Sequence, residues 1–523
     1  MTRSRNPRDD KRATDLQRRR LLRSMGLAGA AAGTYGLWSG VIRAAEPGPR
    51  QRGGTLRVAL PAAKTIDPLK MNAGGAIAMV QQVGEYLVWA EQDLSLRPVL
   101  ATDWHPENGG KRWIFNLRKG VRFHDGREMT SADVVATFRR LVDPDGASVA
   151  ASQLPFLKPS GVSADDRYTV RFDLQRPVGA FPYYTQIYNA VILPEDYDGD
   201  FAGKPVGTGP FRMTGYKPQE GATFERNPDY WDAPKPYLDG VSMSLYDGSQ
   251  PQVLALQGDE VDMMLLVGFI DAQPLFEDTT VDVLSVPTAQ HRQLAMRTDK
   301  PPFDDVRVRQ AVALAMNRPA MISALLGGNA ELGDDHPIAP IYPEDVKVAQ
   351  RERSVEKARQ LLADAGMPNG FQTELYIGRI AELPQYGVLA QQMLAEAGID
   401  VKLKVEPLNV YYDHWTDVSF GLTDWVSRPT AGQILSVAFR GDAQWNAAHW
   451  KNDEFDSLLT KFEAEPELAA RSRLGTRLAE ILNEEVPTVI TYFNDGLRPV
   501  RRNVRGVSGN MSNYLDLTSA WLA

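Results

Sequence analysis

The sequence predicts a multi-domain α/β protein, and three observations lead there. A chain of 523 residues outgrows a single hydrophobic core, which sets an expectation of two to four domains. From about residue 100 to about residue 200 the chain is β-rich, with short elements separated by turns. Beyond about residue 300 long helices alternate with strands, a spacing that indicates βαβ units and a parallel sheet.

Residues 1–45 read as an address. They hold ten Lys/Arg against three Asp, a net of +7, while the remainder has 48 basic and 63 acidic residues, a net of −15. Arg18-Arg19-x-Leu21-Leu22-Arg23 precedes nineteen uncharged residues, Ser24 to Ile42, and then Arg43-Ala44-Ala45. This has the form of a twin-arginine export signal cleaved near Ala44 or Ala45, with a Gly/Ala-rich apolar part of low hydrophobicity. The alternative is an uncleaved anchor, since nineteen residues just span a bilayer. The chain has no cysteine, so disulfides, Cys-based metal sites and a lipid-modified amino terminus are all excluded. The expected location is therefore free in a bacterial periplasm. The acidic body argues against a nucleic-acid partner.

The mature chain opens on TLRVAL (55–60), whose apolar–polar alternation reads as a strand. The loop PAAKTIDPL follows, and a helix is expected over GAIAMVQQVGEYLVWA (75–90). WIFNLRKGVRF (113–123), YTVRFDL (168–174) and AVILP (190–194) read as short β elements. Among them SADVVATFRRLV (131–142) is a helix, with Thr130, Ser131 and Asp133 suited to its start. In the stretch from Pro205 to Trp231, FRMTGYKP and ATFERNP read as neighbouring strands joined at Gln219-Glu220-Gly221. DDVRVRQAVALAMNR (304–318) is an amphipathic helix with Val308, Val312 and Ala315 on one face and Arg307 and Arg309 elsewhere. SVEKARQLLADAG (354–366) is a helix closed by Gly366. FQTELYIG, YGVLAQQMLAEAG and IDVKLKVEPL (371–408) form strand, helix and strand, and RSRLGTRLAEILNEEV (471–486) leads as a helix into PTVITYFN.

Three stretches together carry a resemblance. They are Leu100 to Pro144, with Trp-x-Phe-x-Leu-Arg-x-Gly-Val-x-Phe-x-Asp-Gly followed by Thr-x-x-Asp-Val; Pro205 to Trp231 followed by LALQGDEVDM; and WNAAHWKNDEFDSLL followed by NEEVPTVITYF. In this order they resemble the extracytoplasmic solute-binding proteins of ABC importers, in the peptide/nickel branch called family 5. The resemblance implies a type II periplasmic-binding-protein fold: two α/β lobes joined by crossing strands, with an extra β-rich subdomain inserted in lobe I. The division expected is lobe I at 46–80, 205–285 and 488–523, the inserted subdomain at 81–204, and lobe II at 286–487. The implied function is capture of a peptide-like or anionic amino-acid-derived solute, such as an opine, in the interlobe cleft. Delivery to an inner-membrane permease and its ATPase subunits would follow, with the binding protein acting as a monomer.

Loops leaving the carboxyl ends of parallel strands point into such a cleft. They are PAAKT with Ala62 and Ala63, GRIAEL with Arg379, and DWVSRPT (424–430). In peptide-binding members the segment matching DWVSRPT supplies an aspartate for the ligand's amino group. Here Trp425 matches the family tryptophan, but Val426, Ser427, Arg428 and Pro429 follow it. Arg428 is instead a bidentate partner for a carboxylate or phosphate, set against the alternative of an ion pair with Asp424. Trp445 and Asn446 are further candidates, and Tyr411, Tyr412 and Trp415 form an aromatic cluster read as packing.

Catalytic patterns are absent: there is no GxSxG elbow, Walker loop or dinucleotide fingerprint. The six histidines never fall in a metal-ligand spacing, so no cofactor and no metal are expected. An exported hydrolase of peptides or glycosides, and a periplasmic ligand sensor, are the alternative functions.

Overall fold

A computed structural model of the protein describes residues 50–146 and 148–523. The export signal and its cleavage site lie outside the described residues.

Two sheets organise the chain. The first takes its strands in the order Val281–Val286, Gly496–Arg501, Met263–Met264, Thr55–Pro61, Gly240–Tyr246, Gly221–Arg226 and Phe211–Lys217. Thr55–Pro61 pairs in parallel with both of its neighbours. The second sheet runs Ala330–Leu332, Thr488–Asn494, His291–Met296, Phe420–Trp425, Phe371–Gly378 and Ile399–Glu406. Its last pair is the expected βαβ unit, with Phe371 facing Ile399 in parallel and the helix Leu383–Glu396 between them. A third, four-stranded antiparallel sheet holds Ala101–Glu107, Arg112–Leu117, Thr169–Asp173 and Val162–Asp166.

The chain passes between the two large sheets along adjacent paths. Val281–Val286 belongs to the first sheet and His291–Met296 to the second, with Pro287–Gln290 between them. Thr488–Asn494 returns from the second, and Gly496–Arg501 lies in the first after Asp495 alone. The two passages are pinned together where Thr288 Oγ1 donates to the Asn494 carbonyl at 2.6 Å. This is the two-lobed architecture, with paired strands available as a hinge.

Two local expectations need correction. The helix after Pro61 is Gly74–Val83 and ends at Gly84, which is extended at φ −129° and ψ 163°. A Cβ on Gly84 would lie 2.3 Å from Val191 Cγ1, so only glycine fits where the chain turns out of the helix. Val88–Ala90 then forms a short strand with Leu96–Pro98. AVILP joins no sheet, although Val191, Ile192 and Leu193 are fully buried. Its backbone is satisfied elsewhere, Ile192 N by the Glu85 carbonyl at 2.9 Å and Leu193 N by Thr137 Oγ1 at 3.0 Å. Burial without a ladder is allowed because those donors still find acceptors.

The stretch from Pro205 to Trp231 is frame. Its two strands pair antiparallel, and Thr208, Tyr230 and Trp231 donate to the buried Glu85 carboxylate at 2.9, 2.7 and 2.9 Å. Burial pushes the Glu85 carboxyl up to about 7 against the pull of those three donors.

Candidate functional site: an aromatic wall holding an arginine

Trp425 ends the strand Phe420–Trp425, so the chain leaves the carboxyl edge of the second sheet at DWVSRPT. The loop stops where Thr430 caps the helix Ala431–Ala438, accepting from Gln433 N. Two contacts pin the short turn between them. Ser427 Oγ accepts from Ala289 N at 3.1 Å, and the Arg428 carbonyl accepts from the Tyr342 hydroxyl at 2.9 Å. Ser427 therefore ties the loop to the first passage between the sheets.

The Arg428 guanidinium lies against two indoles. Its central carbon stands 5.9 Å from the ring centre of Trp425 and 5.6 Å from that of Trp445. The two rings are 6.0 Å apart, and Trp415 meets Trp425 edge-on at 6.0 Å. Behind Trp425 the imidazole of His291 stacks at 6.4 Å. Each cation–π contact of this kind contributes about 0.5–2 kcal/mol, more as water is excluded.

Among the described residues no carboxylate pairs with Arg428, and its buried Nε has no hydrogen-bond partner. Burial lowers its pKa, with the Tyr342 hydroxyl pulling the other way. The alternative pairing with Asp424 does not occur, because Asp424 accepts from the Tyr412 hydroxyl at 2.6 Å. The Nε1 group of Trp425 is also buried without a partner among the described residues. Aromatic surface beside an unpaired donor is the combination from which small-molecule sites are built.

The other expected residues separate into three groups. Trp445 is 45% exposed and forms the outer face of the wall. Asn446 is buried, and its amide is spent on its own loop: Nδ2 donates to the Arg440 and Trp450 carbonyls, and Oδ1 accepts from Trp450 N. That is the role of a structural clip, and it leaves Asn446 no free donor for a ligand. Ala62 and Ala63 follow Pro61 as expected, Ala62 exposed and Ala63 packed into the core. Arg379 is exposed at the end of Phe371–Gly378, with its backbone N bonded to the Glu406 carbonyl. No hydrogen bond or ring contact ties Ala62 or Arg379 to the Arg428 wall among the described residues.

Sequence reasoning missed His291 as a neighbour of the site, and it lies in no motif that marks it. Tyr411, read as packing, is buried with its hydroxyl on Thr423 Oγ1 at 2.6 Å. No group of three or more His, Asp or Glu that could hold a metal occurs among the described residues. No helix among them is long and apolar enough to cross a membrane.

Residues 95–447 match the family described as "Bacterial extracellular solute-binding proteins, family 5 Middle". The chain is 27% identical over 476 residues to heme-binding protein A of Haemophilus influenzae, covering 82% of this chain and 85% of that one. It is 25% identical over 451 residues to the glutathione-binding protein GsiB of Escherichia coli K12, covering 81% and 86%. Among solved structures it is similar to the binding protein AgaA of A. tumefaciens R10 in complex with agropinic acid. That likeness has a TM-score of 0.68 at 26% identity and covers 90% of this chain and 99% of that one. With a family match spanning well over half its length, the chain belongs to the family 5 extracellular solute-binding proteins, the solute-capturing components of ABC importers.

Proposed function

We propose that the solute carries a carboxylate and that Arg428 is its anchor, with Trp425, Trp415 and Trp445 as the walls of the subsite. One observation carries the reading: a half-buried guanidinium that lies against two indoles and has no carboxylate partner among the described residues. A guanidinium in that condition gains most when an anion arrives, because the desolvation has already been incurred. A peptide's free amino group would meet a cation here. The solute class is thus an anionic amino-acid derivative of the opine kind, or a peptide-like molecule presenting its carboxylate to Arg428. The agropinic acid complex and the glutathione-binding relative are compatible with that class.

The lobes proposed are those expected from the sequence: lobe I at 46–80, 205–285 and 488–523, the insertion at 81–204, and lobe II at 286–487. Sheet membership supports the division, since the first sheet draws its strands from 55–286 and 496–501 and the second from 291–494. The proposed route is twin-arginine export to the periplasm, where the protein acts as a monomer with a permease and its ATPase subunits.

The test is a melting-temperature screen of the mature chain against opines, glutathione, free peptides and their carboxyl-blocked forms. A ligand at a hundred times its Kd stabilises by about 2.7 kcal/mol. A response confined to carboxyl-blocked peptides with free amino termini would overturn the anchor.

A further inference from the structure

Arg498 presents a charge with no carboxylate to balance it among the described residues. Six arginines are buried among the described residues: Arg292, Arg297, Arg309, Arg318, Arg471 and Arg498. Five have a carboxylate in contact: Glu382 at 2.7 Å, Asp299 at 2.7 Å, Glu485 at 3.3 Å, Asp335 at 2.7 Å and Glu344 at 2.6 Å, respectively. Arg498 is 3% exposed and forms no ion pair among the described residues. Its Nε and Nη2 are both buried without a hydrogen-bond partner. Burial alone lowers its pKa to about 10, so the group stays charged at neutral pH. An uncompensated buried charge of this kind costs several kcal/mol, and the fold tolerates it at one position.

That position is close to the passage between the two large sheets. Arg498 lies in Gly496–Arg501, directly after the return passage from the second sheet. The pairing of Met263 with Val500 puts Arg498 beyond the carboxyl end of Met263–Met264, the strand that runs parallel to Thr55–Pro61. Carboxyl ends of parallel strands are where such folds bind ligands. The guanidinium rests against Gly509, where a Cβ would meet Nη2 at 2.6 Å and Nη1 at 3.0 Å. The glycine keeps that space open. Two residues later, Met511 belongs to the same buried apolar cluster as Trp425, Ala289 and Ala431. One short segment thus touches the Arg498 guanidinium at Gly509 and shares an apolar cluster with Trp425 at Met511.

We propose that Arg498 is a second ligand-binding residue, which takes a carboxylate of the solute at the far end from Arg428. The solute is then a diacid, gripped by a guanidinium from each lobe, and neither guanidinium is neutralised until it binds. This rests on the reading of Arg428 as the first anchor. It also gives closure a driving force, because each lobe supplies one half of the charge pairing that only the bound state completes.

The experiment compares the wild-type mature chain with Arg498→Met and Arg428→Met by thermal melting and calorimetric titration. The probes are glutathione and a dicarboxylic opine, each as the free diacid and as the monoester at either end. Arg498→Met should melt at or above the wild type without ligand, because it removes an unpaired buried charge. It should bind the diacids at least about tenfold more weakly, the scale of losing hydrogen bonds to a charged group. It should also no longer distinguish a diacid from the ester that blocks the Arg498 end. If Arg498→Met melts several degrees lower and keeps the wild-type preference for diacids, Arg498 is structural and the proposal is overturned. A wild type that binds diacid and monoester equally, while Arg428→Met binds neither, overturns the second anchor and leaves the first. A wild type that responds to none of the probes overturns both.

Discussion

The guanidinium of Arg428 stands 5.6 Å from the ring centre of Trp445, an indole that is itself 45% exposed. The relationship joins a partly desolvated cation to an aromatic face that remains open to a visitor. Removing that face should affect binding far more than folding. Trp445→Ala is expected to change unfolding free energy by no more than about 0.5 kcal/mol, as for other exposed positions. Its affinity for the best anionic ligand should fall by about tenfold, measured by calorimetry.

Arg428→Lys separates charge from shape. Lysine keeps the cation but loses the planar fork and its contact with the faces of Trp425 and Trp445. Binding of a carboxylate ligand should drop by about tenfold for lysine and further for methionine. Equal affinity of the lysine variant and the wild type would show that only the charge matters.

Asp335 tests the frame of the second sheet's lobe. It is fully buried and accepts from Arg318 at 2.7 and 2.9 Å and from Arg351 at 2.7 Å. Arg318→Met leaves that carboxylate with half of its compensation. Urea unfolding should show a loss of about 3–5 kcal/mol, with the ligand-induced stabilisation of the surviving folded protein unchanged.

Glu85 gives the stability curve a slope on the alkaline side. Its folded pKa is raised to about 7 from an ordinary 4.5. Its contribution is therefore full below about pH 4.5 and is lost as the pH rises through about 7. Between pH 4.5 and pH 8, Glu85→Gln should gain on the wild type by up to about 3 kcal/mol. A constant difference between the two proteins across that range would rule out the buried protonation.

His291 and His336 work in the opposite sense. Burial lowers each to about 4 from 6.5. Their contribution is present above pH 6.5 and is lost as the pH falls through about 4. In NMR titrations their ring signals should stay those of neutral imidazole from pH 8 down to pH 5. A titration of either ring near pH 6.5 would contradict the burial of its environment.

Much of the architecture was legible because local chemistry and packing agreed. The alternation in TLRVAL, the capping residues Thr130 and Asp133, and Gly366 after its helix each appear where short-range rules put them, with Gly366 at φ +84°. The 371–408 unit was readable because its strand and helix periods are distinct over enough residues to exclude the alternatives. The end of the helix at Gly84 was not readable, because the apolar run continues past it and the neighbour that requires a glycine there, Val191, comes from more than a hundred residues away. Arg309 shows the same limit. Read as turned away from the apolar face, it is buried with its Nη1 on the Phe303 carbonyl and its Nη2 on Glu485.

The sequence by itself determined the family, the βαβ unit at 371–408, and the loop in which Val426, Ser427, Arg428 and Pro429 follow Trp425. Those are properties of neighbours along the chain, where spacing and residue type carry the information. Only the tertiary structure decided which polar groups are left without partners. Asn446 looked like a ligand contact and is consumed by its own loop, whereas Arg498 stood in no motif and is the one buried arginine without a carboxylate among the described residues. Whether a charge is compensated depends on residues brought from distant parts of the chain. Pairing is a property of the folded space around a side chain, and it is in that space that the difference between frame and site resides.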